Sequence, residues 1–480
     1  MKNIKLLTHF KQISLKIKVV TATIIMIIAL VSVGGIYNAN YNSSKSSLDQ
    51  YIQVFGSVYT TQYGVTTASS SSIQIIDATK YNLDTTGATD TTLAFQKMTD
   101  SFPTGSDLRI PAGTYKFEGT VNLKSGIKIE AQSDVIIIGI SSNTLFNASS
   151  NTTFSGIGFQ NCNIAINIFQ QTGVTVYWCN FKNSIVYSAI EIYNGSNISI
   201  SSCFLYEIKK YGVFINGDNS DISITWNNFS NPSVFGGYTT EQISAHVYCL
   251  SGTKITVANN ILNNNGGQGV IFCYNSITGK GVTNSSITSN HCEGNGQEGT
   301  TVYGGSAKVT SGNSVIGNTC INNRLNQIEI WQSDNNIVQN NTAQESIAGI
   351  GNLAAICLFA TNGTTCTGNK VLSSESNGIS IIAGTSNSVV SNNTITDTNK
   401  AKDTTKPEKG NGILLDWNGV ADPEYITIEN NTMSSSNGII AKSGVYSTSN
   451  TNHHNKIDGN VITGYQYGVH PYALATCEPS

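Results

Sequence analysis

Short stretches of alternating aliphatic and polar residues recur along this chain, each opened by a small residue and preceded by an Asn-rich step. The pattern is plainest where Asn340-Asn341-Thr342 leads to Ala355-Ile356-Cys357-Leu358, and Gly368-Asn369-Lys370 leads to Gly378-Ile379-Ser380-Ile381. Period-two alternation, β-branched side chains and bounding Asn, Ser and Gly predict short strands. The Leu/Ala-rich amphipathic stretches that helical repeats require are missing from these units. The Asn step returns at Asn228, Asn260, Asn290, Asn318, Asn341, Asn369, Asn393, Asn431 and Asn460, with gaps of 23 to 38 residues. Spacings of this size signal stacked repeats. One such unit cannot bury its apolar face alone, but stacked at ~4.8 Å each strand joins a parallel sheet around a shared interior. Stacked amides then hydrogen-bond from coil to coil, and Asn tolerates the left-handed backbone of a corner. The expected fold is all-β, a right-handed parallel β-helix of about 12 coils, roughly 55–60 Å long.

The first 36 residues break the pattern. Lys2, Lys5, Lys11, Lys16 and Lys18 precede an apolar run from Val19 to Val33. A basic head and an apolar run of this length read as a secretory signal or an uncleaved signal anchor, and both place the remainder outside the cytoplasm. Residues 37–74 are a polar spacer rich in Ser, Thr and Tyr, and 75–480 form one solenoid with no internal break in composition. The whole chain carries -3, and loss of the five leading Lys leaves -8, a poor partner for nucleic acid. Membrane contact is expected only through the leader, and the chain reads as a monomer. Ten Cys lie beyond the leader without a CxxC pair. Cys179 and Cys203, and again Cys249 and Cys273, stand 24 residues apart, so stacked thiols or disulfides between adjacent coils are both open. The many Asn-x-Ser/Thr triplets are a by-product of the repeat.

One block carries a resemblance. Asp84 to Gln96 reads DTTGATDTTLAFQ, Leu108 to Tyr115 reads LRIPAGTY, and Val121 to Ile129 reads VNLKSGIKI. In order and spacing this resembles the opening of the pectate-lyase-like superfamily of right-handed parallel β-helix proteins. The resemblance implies a short capping helix, then the first coils, and a polysaccharide as ligand class. Asp90 reads as the N-cap of a helix running to about Asp100, with Leu93, Ala94 and Met98 covering the open first coil. Asp84 and Asp90 are therefore structural.

Strand alternation sends one set of side chains outward from each later coil. The expected outward pairs include Asn167/Phe169, Glu191/Tyr193, Phe214/Asn216, His246/Tyr248, Ile271/Cys273, Thr301/Tyr303, Glu329/Trp331, Cys357/Phe359 and Ile440/Lys442. Aromatic rings beside Glu, His and Asn suit a glycan, whose C–H faces stack and whose hydroxyls need polar partners. Tyr193, Phe214, Asn216, Tyr303, Glu329 and Trp331 are the expected substrate-binding residues. Two insertions, Ser230–Gln242 and Asn399–Gly410, enter this face and are placed to wall it.

Polysaccharide cleavage takes two routes. Hydrolysis needs two carboxyls; elimination needs a base and a group that neutralises a uronate. Glu191 and Glu329 lie about five rungs apart, roughly 24 Å, and cannot form one pair. A partner must come from a turn, and Glu241, Asp218 and Asp221 are the nearest candidates by order. His246 and Tyr248 are the alternative proton-transfer pair, with Arg324 or Ca²⁺ neutralising the substrate. Asp218 and Asp221, in an oxygen-rich turn, are the candidate Ca²⁺ ligands; no other cofactor is expected. The Asn-Thr-Asp, Gly-His-Gly and Arg-x-Lys motifs of polygalacturonases are missing, as are the Arg-x-x-Arg of pectate lyases and the Asp-Pro-His-Glu of mannuronan epimerases. Asp422-Pro423-Glu424 is similar to the last but lacks the His. Two readings follow: an exported polysaccharide lyase or glycoside hydrolase, or a non-catalytic surface adhesin or glycan-binding β-helix. The scarcity of charge in the coils favours the second.

Overall fold

Alternation becomes strand along the whole repeat region. The structure is a computed structural model and describes residues 73–470, apart from 232–243, 346–353, 401–405, 407, 436–441, 450 and 452. It is a right-handed parallel β-helix. Fourteen parallel strands, from Val121–Asn122 to Tyr467–His470, stack into one lateral face, and a second continuous system of strands wraps the other sides. The fourteen exceed the expected dozen because Val121–Asn122 and Thr144–Asn147 pair onto the N-terminal end without the small-aliphatic signature. The leader, the Val19–Val33 run and most of the spacer lie outside the described residues. Among the described residues no helix is long and apolar enough to cross a membrane.

A single core runs from Ile76 to Ile457, filled by Phe at the N-terminal end and by Ile and Val further on. Beside it runs the amide ladder. Asn227 donates its backbone N–H and its side-chain amide to Oδ1 of Asn260, at 2.9 and 3.0 Å. The same double bond repeats from Asn260 to Asn290, Asn290 to Asn318, Asn318 to Asn341, Asn341 to Asn369, Asn369 to Asn393, Asn393 to Asn431 and Asn431 to Asn460. The ladder begins at Asn227, not at the expected Asn228, which opens a strand instead. The left-handed residue is also not the ladder Asn but the one before it: Asn259 (φ 58°), Gly317 (φ 67°), Asn340 (φ 55°), Gly368 (φ 66°) and Asn392 (φ 55°). The division of labour is physical: one residue turns the chain, and the next satisfies the backbone groups that the turn leaves unpaired.

The cap helix spans Thr92–Asp100. Thr91 occupies the N-cap, and Asp90 acts from one position earlier, accepting from the Thr92 N–H at 3.0 Å and from Glu118 N–H at 3.0 Å. Leu93 points to solvent rather than onto the coil, and Phe95 does the covering together with Met98. Nine cysteines are described, all buried and all unpaired thiols. Cys249 faces the core and Cys273 the outward cluster, so that pair does not stack; Cys292 and Cys320 do, in direct register.

Candidate functional site

Strands of the lateral face from Ile164–Phe169 onward share one side-chain rhythm: outward, inward, inward, outward, inward, outward. The two consecutive inward positions hold a small and an aliphatic residue in Ala165-Ile166, Ala189-Ile190, Gly212-Val213 and Gly269-Val270. They shift the outward pattern by one residue midway along these strands.

That shift corrects the expectation for His246. Ala245 pairs with Tyr211 and Val247 with Val213, so His246 stands opposite Gly212 in the small inward column. Its ring packs on Phe229, centroids 5.4 Å apart, and its Nε2–H donates to the Asn263 carbonyl at 2.9 Å. It is 1% exposed, and burial lowers its pKa to about 4. His246 and Tyr248 therefore do not share a face, and His246 cannot reach an outward ligand. Tyr248 is outward but enclosed with Tyr211, Phe214, Ile271 and Cys273. Expected Glu241 lies outside the described residues, as does Ile440. Tyr446 takes the outward place expected for Ile440, paired with Leu414.

The other expected residues separate into groups. Glu191 is half-buried between Asn167 and Phe214 in register, and burial raises its pKa. Tyr193 stacks on Phe169 at 5.2 Å. Phe214 is buried in the Tyr248 cluster, and Asn216 Oδ1 accepts from Asn275 of a hairpin that folds over this part of the face. The expected continuous groove from Glu191 to Trp331 is thus interrupted by an enclosed aromatic block. Asp218 meets Lys280 at 2.6 Å and Asp221 meets Lys254 at 3.6 Å, so the proposed Ca²⁺ ligands face two different lysines rather than one point. Among the described residues no three His, Cys, Asp or Glu gather as a metal site.

Glu329, Tyr303 and Trp331 do come together, in a cavity of about 440 Å³. Three columns line it. Gln268, Glu298 and Asn326 form the first; Ile271, Thr301 and Glu329 the second; Tyr303 and Trp331 the third. Trp331 stacks face to face on Phe359 of the next strand, with centroids 3.6 Å apart and planes within 5°. Asn326 donates its amide to Glu329 at 2.8 Å, and Gln268 donates to Glu298 at 3.3 Å. Burial, and then the neighbouring Glu298 carboxylate, push Glu329 far above the usual carboxylate range; burial raises Glu298 as well. Neighbouring like charges disfavour ionising together. The buried Thr301 hydroxyl and Gln268 Oε1 have no hydrogen-bond partner in the same lining.

Glu298 was not among the expected residues. It sits in the turn before the strand Thr300–Tyr303, where no alternation marks it. Its signal was positional: it stands three residues ahead of the outward Thr301, as Asn326 stands three ahead of Glu329. Arg324 belongs to the turn next to this wall, where its backbone N–H donates to the Asn295 carbonyl, but it is not part of the lining.

Comparison with known proteins gives a consistent picture of fold. A family model described as "Right handed beta helix region" matches residues 145–343 and 277–462, about two thirds of the chain. The N-terminal fragment of bacteriophage Phi29 gene product 12 superposes with a TM-score of 0.61 at 15% identity, covering 90% of this chain and 75% of that one. The A-module of the Azotobacter vinelandii mannuronan C-5 epimerase AlgE4 gives 0.49 at 13% identity, covering 82% and 97%. The Streptococcus pneumoniae surface adhesin PfbA gives 0.44 at 12% identity, covering 75% and 93%. At 15% identity the phage fragment speaks for fold alone. No curated protein sequence matches the chain.

Proposed function

The chain belongs to the right-handed β-helix family, and from that premise we propose that it is an exported glycoside hydrolase acting on an extended polysaccharide at the Glu298/Glu329 cavity. The observation that carries the reading is the pairing of two buried carboxyls with an aromatic platform in one opening. Hydrolysis of a glycosidic bond needs an acid that is still protonated near neutral pH and a second carboxylate. Glu329, with the stronger upward push, is the acid: its proton goes to the glycosidic oxygen as the C–O bond breaks. Glu298 takes the proton of the attacking water, whose oxygen bonds to the anomeric carbon. Trp331 and Tyr303 supply stacking faces for sugar rings, and Thr301 and Gln268 supply unused polar atoms for hydroxyls. Elimination at a uronate is less well supported, because among the described residues none that lines the cavity is a cation. Export rests on the five Lys ahead of the Val19–Val33 run.

The depth of both carboxyls favours a second reading, binding without turnover. Glu298 and Glu329 are 6% and 8% exposed, which is also how a structural acid pair sits. One experiment separates the two. A polysaccharide array is read for reducing ends and for unsaturated uronate, using protein recovered outside the cytoplasm. Glu329→Gln and Glu298→Gln should each lower release of reducing ends by about 10²-fold or more, while Trp331→Ala mainly raises KM. Retention that depends on Trp331 with no reducing ends from any polymer selects the binding reading. Unsaturated uronate as the product, or full-length protein confined to the cytoplasm, overturns the proposal.

A further inference from the structure

The lateral face holds a second concavity near its N-terminal end, of about 310 Å³, lined by Asn122, Asn147, Asn167, Phe169 and Gln171 among others. It lies five strands from the strand of Tyr303, ~24 Å along the face. The enclosed block of Tyr211, Phe214 and Tyr248 stands between the two. They are separate sites, not two ends of one trough.

The lining has a definite chemistry. Asn122, Asn147 and Asn167 occupy one outward column on three successive strands. Asn147 donates its amide to Asn122 Oδ1 at 2.7 Å, and Asn167 donates to Asn147 Oδ1 at 2.9 Å. The ladder fixes each amide's direction and uses one donor from Asn147 and one from Asn167. A primary amide has two donors and two lone pairs, so capacity for both donating and accepting remains. Gln171 is oriented too, giving a hydrogen bond to the Phe169 carbonyl at 3.0 Å and taking one from Ser150 at 2.8 Å. Alongside stands Phe169, half exposed and held flat by Tyr193, with their planes within 6°. Among the described residues, none of the lining carries a charge.

A preoriented amide row beside an exposed flat ring matches a ligand with paired hydroxyls on its edge and C–H groups on its face. A carboxylate or phosphate would find no cation here to offset its desolvation. The volume is at the lower end for small-ligand pockets and suits one or two sugar rings. We propose that this concavity is a second glycan site, specific for neutral hexose units, that acts independently of the Glu298/Glu329 cavity. The inference goes beyond the hydrolase reading and does not require it.

The test uses the full chain and ligand-observed saturation-transfer NMR with four neutral hexasaccharides (cellohexaose, maltohexaose, mannohexaose and laminarihexaose) and hexagalacturonate. At least one neutral probe should bind the natural protein and the Trp331→Ala variant alike. Phe169→Ala and Asn147→Ala should each weaken that binding by tenfold or more, with circular dichroism confirming that both variants fold. Phe169 is exposed, so its replacement leaves the core untouched. Failure of all four neutral probes overturns the assignment, as does neutral binding indifferent to Phe169→Ala or a preference for hexagalacturonate. Loss of binding in Trp331→Ala alone assigns the neutral sugar to the central cavity and equally refutes a second site. Loss of turnover without any change here counts only against the hydrolase reading.

Discussion

Glu329 and His246 show how far a residue's type is from its role. Both were legible as polar residues in an outward strand pattern, and only one of them faces outward. His246 follows a long insertion, where alternation alone leaves the register of the strand open by one residue. Aligned on the small column, it falls with Ala189 and Gly212, and its burial follows. Glu329 was legible because its coil carries no insertion, whereas its partner Glu298 sits in a turn, where alternation has no meaning. The pair has a thermodynamic signature. Burial and Glu298 raise the folded-state pKa of Glu329 above its ordinary 4.5. The folded protein therefore binds this proton more tightly than the unfolded chain does. Stability from the group is fully present below that ordinary value and is lost as pH rises through the folded pKa. Glu329→Gln, which keeps an acceptor for Asn326, should remove the loss. We expect a urea midpoint for the variant close to the natural one at pH 4 and higher at pH 8. A midpoint difference independent of pH would show that the carboxyl is ionised and solvated in the folded state.

At the scale of the element, the turn that carries the Asn step decides register. Spacing alone revealed the ladder, because a buried amide that must meet its copy one coil away leaves a periodic mark in the chain. What spacing did not reveal was which of two adjacent residues does the turning. Asn341 shows the cost of losing the ladder member. It gives hydrogen bonds to the Val315 carbonyl at 2.9 Å and to Asn369 Oδ1 at 2.9 Å, and takes two from Asn318 at 2.8 and 3.0 Å. Asn341→Ala orphans buried groups on both neighbouring coils, at about 1–3 kcal/mol each. A loss of about 3–5 kcal/mol in chemical denaturation is expected. Asn340, at φ 55°, should accept Gly with a change under about 1 kcal/mol, since glycine takes that conformation freely. Equal effects at the two positions would mean that the turn and the ladder are not separate functions.

A solenoid is stable only if its ends are closed, and here one helix closes the N-terminal end. The resemblance to the opening of pectate-lyase-like chains located that helix, but helical spacing had to choose which of its residues face inward. Leu93, Ala94 and Met98 are the expected cover. Met98 is buried and Ala94 packs on the core, but Phe95 sits at the centre, 5.1 Å from Phe117, 6.0 Å from Phe146 and 6.1 Å from Tyr115 by ring centroids, while Leu93 is 73% exposed. These Phe rings continue into the next coils through Phe154 and Phe159, so the plug is an extension of the core and not a lid laid over it. Removing a buried Phe costs about 3–5 kcal/mol, and forcing a carboxylate into its place adds several more. The whole molecule should feel this, because an unplugged coil presents open strand edges to other copies. Phe95→Asp in the full chain is expected to move the protein from its natural elution position to large aggregates in size-exclusion chromatography with light scattering. Leu93→Asp, two residues away on the same helix, should elute as the natural protein does. If Phe95→Asp elutes as the natural protein does with unchanged β circular dichroism, the first coils are closed by something other than this helix; if Leu93→Asp also aggregates, the helix lies on the coil with its other face.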